Sequence, residues 1–171
     1  TGPYTEDSLP DGKTFYDKSK ALGELTDDKN LTFRCSIVGP DVNKDGIGLL
    51  NWFMAQQGEV RGFTKAIWTG LTTLELAKAM EYEANEKSAG LVNMVPEGSI
   101  CKYDLLQLFN KNLLDNKIVI QPDDSFVLDK TLIRTNFKPS YTPKQYPEQV
   151  SEMAEWVNSH SFLYSHYYME K

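Results

Sequence analysis

Short runs of β-forming residues alternate along this chain with segments whose apolar residues recur at helical spacing. That alternation limits the fold to the α/β class, with a sheet that is parallel in part. Residues 31–38 (LTFRCSIV) read as a strand at least half buried, stopped by Gly39-Pro40. A helix is predicted over 14–25, with Phe15, Ala21, Leu22 and Leu25 on its apolar side and Asp27, Asp28 and Asn30 ending it. Further helices are predicted over 47–57 (stripe Leu50, Phe53, Met54) and from Thr72 or Thr73 to about Glu86, burying Leu74, Ala77 and Met80. Two more follow, over 100–114 behind a Ser99 cap and over 147–158, where Val150, Met153, Ala154 and Val157 face inward. Strands are predicted at 59–64, 91–95 and 117–121, and loops at 1–13, 41–46 and 138–147.

With 171 residues, 40% of them hydrophobic, the chain can bury one core and is too short for two domains of ordinary size. A net charge of -6 with only 18 basic residues argues against nucleic acid as a partner. No apolar run approaches the roughly 18 residues that span a bilayer, and residues 1–10 lack the basic-then-apolar order of an export signal. A cytoplasmic protein without a membrane partner is expected.

Cys35 and Cys101 lie far apart in apolar patterns, which supports neither a disulfide framework nor a thiolate zinc site. His160 and His166, without HExxH spacing, read as packing or surface residues. Asp41, Asn43, Asp45 and Gly46 mimic the first half of a calcium loop, but Trp52 stands where the closing glutamate belongs and a strand precedes the loop. A polar turn is the reading, and no metal site is expected. Asn30-Leu31-Thr32 fits a glycosylation sequon by chance. The aromatic tail of Trp156, Phe162, Tyr164, Tyr167 and Tyr168 reads as packing of the C-terminal helix on its own domain, with a partner-binding surface as the alternative.

Tyr16 and Lys20 carry a sharper signal. Four residues apart on a predicted helix, they place a phenol and an ammonium on one face, one turn apart. A free phenol titrates at about 10, too high for easy proton exchange at neutral pH, and a neighbouring cation favours the phenolate. Spacing alone is weak evidence: nine tyrosines and 15 lysines in 171 residues give about 0.8 chance matches, and Tyr167 with Lys171 is a second one.

The surroundings of Tyr16 add the context. GPYTEDSLPDGKTFYDKSKALGE (2–24) followed by FRCSIVGPD (33–41) resembles the extended short-chain dehydrogenase/reductase family, and within it the sugar-nucleotide reductases of the dTDP-4-dehydrorhamnose reductase type. In that family a GPYxED loop precedes the Tyr-x-x-x-Lys helix, the helix continues with a small residue and Gly-Glu, and the next strand ends in a Gly-Pro or similar turn. TGLTT (69–73) and VPEGSICKYDLLQL (95–108) also look like later parts of such proteins, and the likeness fades beyond Leu114.

The resemblance implies the C-terminal part of a Rossmann-type NAD(P)-binding fold with a small α/β substrate lobe. Residues 1–40 and about 72–95 would be the last Rossmann elements, and about 41–71 and 96–171 the lobe. It implies NAD(P)H-dependent reduction of a nucleotide-linked 4-keto sugar, as in polysaccharide biosynthesis. Tyr16 would protonate the keto oxygen. Lys20 would bind the nicotinamide ribose hydroxyls and make the phenol a better acid. Ser36, Ile37 and Val38 would face the nicotinamide of NADH or NADPH, with buried strand as the alternative for Ile37 and Val38. Asn51, Trp52, Trp68 and Thr69 would line the sugar-nucleotide pocket, with core packing as the alternative for each. A homodimer is a further partner that the resemblance allows.

The Ser or Thr that the family uses beside the tyrosine precedes the GPYxED loop and is not in this sequence, and no G-x-G-x-x-G follows a strand. Three or four strand–helix units, on the order of 100 residues, would have to precede residue 1. The chain is therefore expected to be a C-terminal portion, inactive alone, whose partner is the N-terminal half of the same protein. Epimerases and dehydratases of the same superfamily share Tyr-x-x-x-Lys, and a non-catalytic sugar-nucleotide-binding remnant would keep these residues too; both readings stay open.

Overall fold

The structure, a computed structural model, describes residues 1–168. Lys171, half of the second Tyr-x-x-x-Lys spacing, lies outside the described residues. In chain order the elements are α1 (Phe15–Leu22), β1 (Leu31–Arg34), β2 (Ile37–Val38), α2 (Leu49–Met54), β3 (Glu59–Phe63), β4 (Ala66–Trp68) and β5 (Leu71–Thr72). They continue with α3 (Thr73–Glu86), β6 (Gly90–Asn93), β7 (Ile100–Cys101), α4 (Lys102–Leu113), β8 (Val119–Asp123), β9 (Leu128–Asp129) and α5 (Tyr146–Ser159).

The pairing is that of an α/β protein. β1 runs parallel to β6, with Leu31 opposite Gly90 and Arg34 opposite Asn93. β2 is parallel to β5 and β3 to β8. β4 pairs parallel with β9 and antiparallel with β7. Parallel partners need a crossover, and the intervening helices supply it. Two cores result. Leu50 and Phe53 from α2, Leu105 and Phe109 from α4, and Val150 and Met153 from α5 anchor the larger. Leu71, Ala79, Val92 and Met94 form the smaller, under Leu31 and Phe33. Among the described residues, no helix is long and apolar enough to cross a membrane.

Several predicted boundaries move, each for a local reason. The strand over 31–38 breaks at Cys35-Ser36, because Leu71 N–H already takes the Ser36 carbonyl at 2.9 Å and pulls the chain toward β5. The helix over 47–57 shrinks to α2, which begins at Gly48 without a side-chain cap. The cap of α4 is Cys101, whose Sγ accepts from Asp104 N–H at 3.4 Å, so Ile100 and Cys101 are free to form β7.

α3 buries a face other than the apolar one. Glu75, Ala79 and Glu83 point inward, while Ala77 and Met80 are exposed. The carboxylates are tolerated because they have donors: Glu75 Oε1 accepts from the Tyr141 hydroxyl at 3.0 Å and Lys144 N–H at 2.8 Å, and Glu83 Oε1 from Tyr141 N–H at 2.6 Å. Burial and the Glu75 carboxylate push the Tyr141 hydroxyl up, which keeps its proton available for donation.

The aromatic tail divides. Tyr164 and Tyr167 enter the larger core, Trp156 stacks on His160 at 4.0 Å, and Phe162 stays exposed.

Candidate active site

Tyr16 and Lys20 sit on α1, whose start is fixed by a capping box. Thr14 Oγ1 accepts from Asp17 N–H at 3.1 Å, and Asp17 Oδ2 accepts from Thr14 N–H at 3.0 Å. The helix buries no residue, and the Tyr16 side is 67% exposed. Lys20 Nζ lies over the Tyr16 ring, 5.6 Å from its centroid, within cation–π range. The two groups therefore share one open face.

The hydrogen bonds with Thr14 hold the Asp17 carboxyl below the usual carboxylate range, and Lys130 adds to that shift through its charge. Lys130 also lines a cavity of about 320 Å³ whose walls include Ser36, β2 and β4.

Ser36, Ile37 and Val38 form one wall of the hollow, and Trp68 and Thr69 another. The walls approach so closely because residue 70 is glycine: a Cβ there would stand 2.3 Å from the Ser36 carbonyl oxygen and 2.3 Å from Trp68 Cζ2. Ser36 and Ile37 are exposed, whereas Val38 turns into the larger core. Trp68 packs on the ring of Tyr146 at 5.8 Å, and burial pushes the Tyr146 hydroxyl up to about 12. Lys102 and Lys130 also line the hollow, two ammonium groups beside an indole, which suits an anionic group attached to a flat ring. Burial pushes the Cys35 thiol up to about 11, so it stays protonated at neutral pH and is no nucleophile.

Two expected pocket residues fall elsewhere. Asn51 is buried with its amide spent on the loop at 41–46: Nδ2 donates to the carbonyls of Asn43 (2.9 Å) and Gly46 (3.1 Å), and Oδ1 accepts from the Tyr167 hydroxyl. No polar atom of it is left for a ligand. Trp52 stands exposed on α2, beside Phe53, and lines neither the hollow nor the cavity next to it. The loop itself is the polar turn expected, with Asn43 N–H on Asp41 Oδ1 at 2.9 Å and Asp45 N–H on Asn43 Oδ1 at 3.1 Å.

A larger cavity of about 900 Å³ adjoins the hollow across Ile67 and Thr69. Thr69 is the partition: its buried Oγ1 accepts from Leu132 N–H at 2.8 Å. Glu97, Ser99 and Thr131 line this cavity; the sequence offered Ser99 only as a helix cap and Thr131 not at all, because the cavity's walls join the turn after β6 to the segment after β9. Asp129, also lining it, is held low by the backbone and hydroxyl hydrogen bonds of Thr131.

No residue of α1 lines the hollow, and the exposed phenol and ammonium on α1 are the kinds of group that hydrogen-bond the ribose of a nicotinamide cofactor. No glycine-rich turn follows a strand in this chain to cradle its diphosphate.

No family model and no curated protein sequence matches the chain. Solved structures do. The dTDP-4-dehydrorhamnose reductase of Clostridium acetobutylicum superposes with a TM-score of 0.70 at 16% identity over 92% of this chain and 61% of its own. The dTDP-4-dehydrorhamnose reductase of Bacillus anthracis, in complex with NADP, gives 0.68 at 15% identity over 90% and 59%. The dTDP-glucose 4,6-dehydratase of Bacillus anthracis, in complex with NAD, gives 0.64 at 14% identity over 95% and 58%. This chain thus spans about three fifths of the length of the structures it matches. Over the matched residues the chain has the fold of these reductases and this dehydratase.

Proposed function

We propose that this chain is the C-terminal portion of an NAD(P)H-dependent reductase of a nucleotide-linked 4-keto sugar. The pairing of Tyr16 with Lys20 on one open helix face carries the reading. We assign residues 1–40 and about 72–95 to the Rossmann-type half, and about 41–71 and 96–171 to the substrate lobe; Ala79, Val92 and Met94 of the smaller core come from the former, while Val38 and Leu71 pack across the division.

When bound, NAD(P)H supplies the hydride. Tyr16 gives its hydroxyl proton to the keto oxygen as negative charge builds there, and Lys20 holds the phenol and the ribose hydroxyls in place. Ser36 and Ile37 flank the nicotinamide. Trp68 offers a face for the sugar or base, and Lys102 with Lys130 receives the diphosphate that links them. Reductase ranks above dehydratase because the GPYTED loop and the SIVGPD strand end resemble the reductases; the superpositions do not separate the two, a reductase and a dehydratase both standing at 0.64.

The test is Tyr16→Phe in the full-length protein, with a nucleotide-linked 4-keto sugar and NADPH. Loss of a positioned proton donor lowers kcat by roughly 10²- to 10⁴-fold. Unchanged turnover would show that Tyr16 is not the acid.

A further inference from the structure

α1 brings no side chain into either core, so apolar packing among the described residues does not set its position. Polar contacts at its two flanks do. Arg34, the last residue of β1, spends all three guanidinium nitrogens on them. Nε donates to Glu24 Oε1 and Nη2 to Glu24 Oε2, both at 2.7 Å, a parallel fork onto the turn just past the helix. Nη1 donates to the carbonyls of Glu6 at 3.1 Å, Ser8 at 3.3 Å and Thr5 at 3.5 Å, in the loop that leads into the helix. The same loop is tied down from the far side by Glu6, whose Oε1 accepts from Asn93 N–H at 2.8 Å and whose Oε2 accepts from Thr135 N–H at 2.8 Å.

Arg34 and Glu24 are both largely shielded from solvent, with side chains 17% and 21% exposed. Such a pair holds a geometry far better than a surface ion pair, and loss of either partner strands the other. The chain leaves β1 at Arg34 and, after the break at Cys35-Ser36, enters β2. One guanidinium thus references the entry and exit of the Tyr16 helix to the end of β1.

We propose that Arg34 and Glu24 are positioning residues that hold Tyr16 and Lys20 in place by clamping both flanks of α1 to the end of β1. This rests on the reading of Tyr16 as proton donor, and it assigns no contact between the clamp and substrate.

The experiment compares Arg34→Ala, Glu24→Ala and the double variant in the full-length protein by steady-state kinetics and by amide hydrogen exchange. A shift of about 1 Å in the donor predicts a kcat loss of roughly tenfold or more, with KM for the sugar nucleotide changed less than about twofold. The double variant should lose no more than the worse single one, because one clamp is broken either way. Amides of residues 15–22 should exchange faster while those of α4 and α5 keep their protection. If an alanine variant fails to fold, Arg34→Lys, which keeps the charge without the fork, and Glu24→Gln serve the same comparison.

Unchanged exchange over residues 15–22 overturns the clamp. Faster exchange there with unchanged kcat overturns its role in positioning. Additive losses, or a loss carried in KM with exchange rising throughout, mark a general structural role and overturn it too. If the unmodified protein has no turnover, the proposed reaction fails, and the exchange data still decide the clamp.

Discussion

Asn110→Ala should unfold this protein more readily than its small size change implies. Asn110 lies in the second half of α4, 2% exposed, among the residues of the larger core. Its Nδ2 donates to the Ile118 carbonyl at 2.7 Å and its Oδ1 accepts from Ile118 N–H at 3.1 Å, so one side chain satisfies both backbone groups of the residue that leads into β8. The turn between them needs that support, since Asp115 and Asn116 hold positive φ angles of 50° and 59°. Each buried group left unpaired costs about 1–3 kcal/mol, and alanine's better helix propensity offsets about 0.5 kcal/mol. The net loss is about 2–5 kcal/mol. At about 2–4 °C per kcal/mol for a chain of this length, the melting midpoint should fall by about 4–20 °C. Urea unfolding followed by circular dichroism reads the loss directly, with the denaturant slope unchanged. Asn112→Ala is the control: its Nδ2 donates only to the Leu108 carbonyl one turn back, at 2.8 Å, and its removal should cost no more than about 0.5 kcal/mol. A loss under about 1 kcal/mol at Asn110, or equal losses at both sites, would refute the reasoning.

Two other outcomes follow from single groups. Burial raises the Glu6 carboxyl, but hydrogen bonds from the Thr135 hydroxyl and from the amides of Asn93 and Thr135 outweigh it and leave the group below its ordinary value. Its stabilisation is then complete above about pH 5 and fades as pH falls through the lower folded value, so Glu6→Gln should show a shallower acid-side loss of urea stability than the unmodified protein; an identical pH profile would contradict this. Gly70→Ala should separate β2 from β5 and displace Trp68, lowering stability by about 1–3 kcal/mol and changing tryptophan fluorescence, since the clash is partly with the Ser36 backbone oxygen, which cannot rotate away; a variant with wild-type stability and emission would refute the close approach.

Period and propensity made legible those elements whose burial is apolar. The α2 stripe of Leu50, Phe53 and Met54 and the α5 stripe of Val150, Met153, Ala154 and Val157 are buried as the sequence pattern requires. α3 escaped because its inward face is held by Glu75 and Glu83, whose donors come from Tyr141 and Lys144, more than fifty residues further on. No local pattern encodes a partner that distant. Asn51 was left between pocket and core packing for a related cause. An amide at that position can serve a ligand or a loop, and the choice depends on Tyr167, which returns from the far end of the chain to occupy its oxygen.

The site followed the same rule. Tyr16 and Lys20 are neighbours through helix geometry alone, so spacing was enough to pair them. Ser36 and Trp68 meet only because two parallel pairings, β2 with β5 and β4 with β9, bring their strand ends together around a glycine. Lys102 and Lys130 join them from the first turn of α4 and the end of β9, positions that carry no motif. The volumes then bear on substrate size. Ligand pockets commonly run from about 300 to 1,000 Å³, and the hollow of about 320 Å³ has room for little more than one sugar ring and a nicotinamide edge. On the proposed reading, a nucleotide attached to that ring would extend past Thr69 toward the cavity of about 900 Å³ or out over the exposed lysine of the pair, Lys130. Thr69 cannot move aside without releasing Leu132 N–H, so that reading favours the route over Lys130, whose ammonium would then meet the diphosphate.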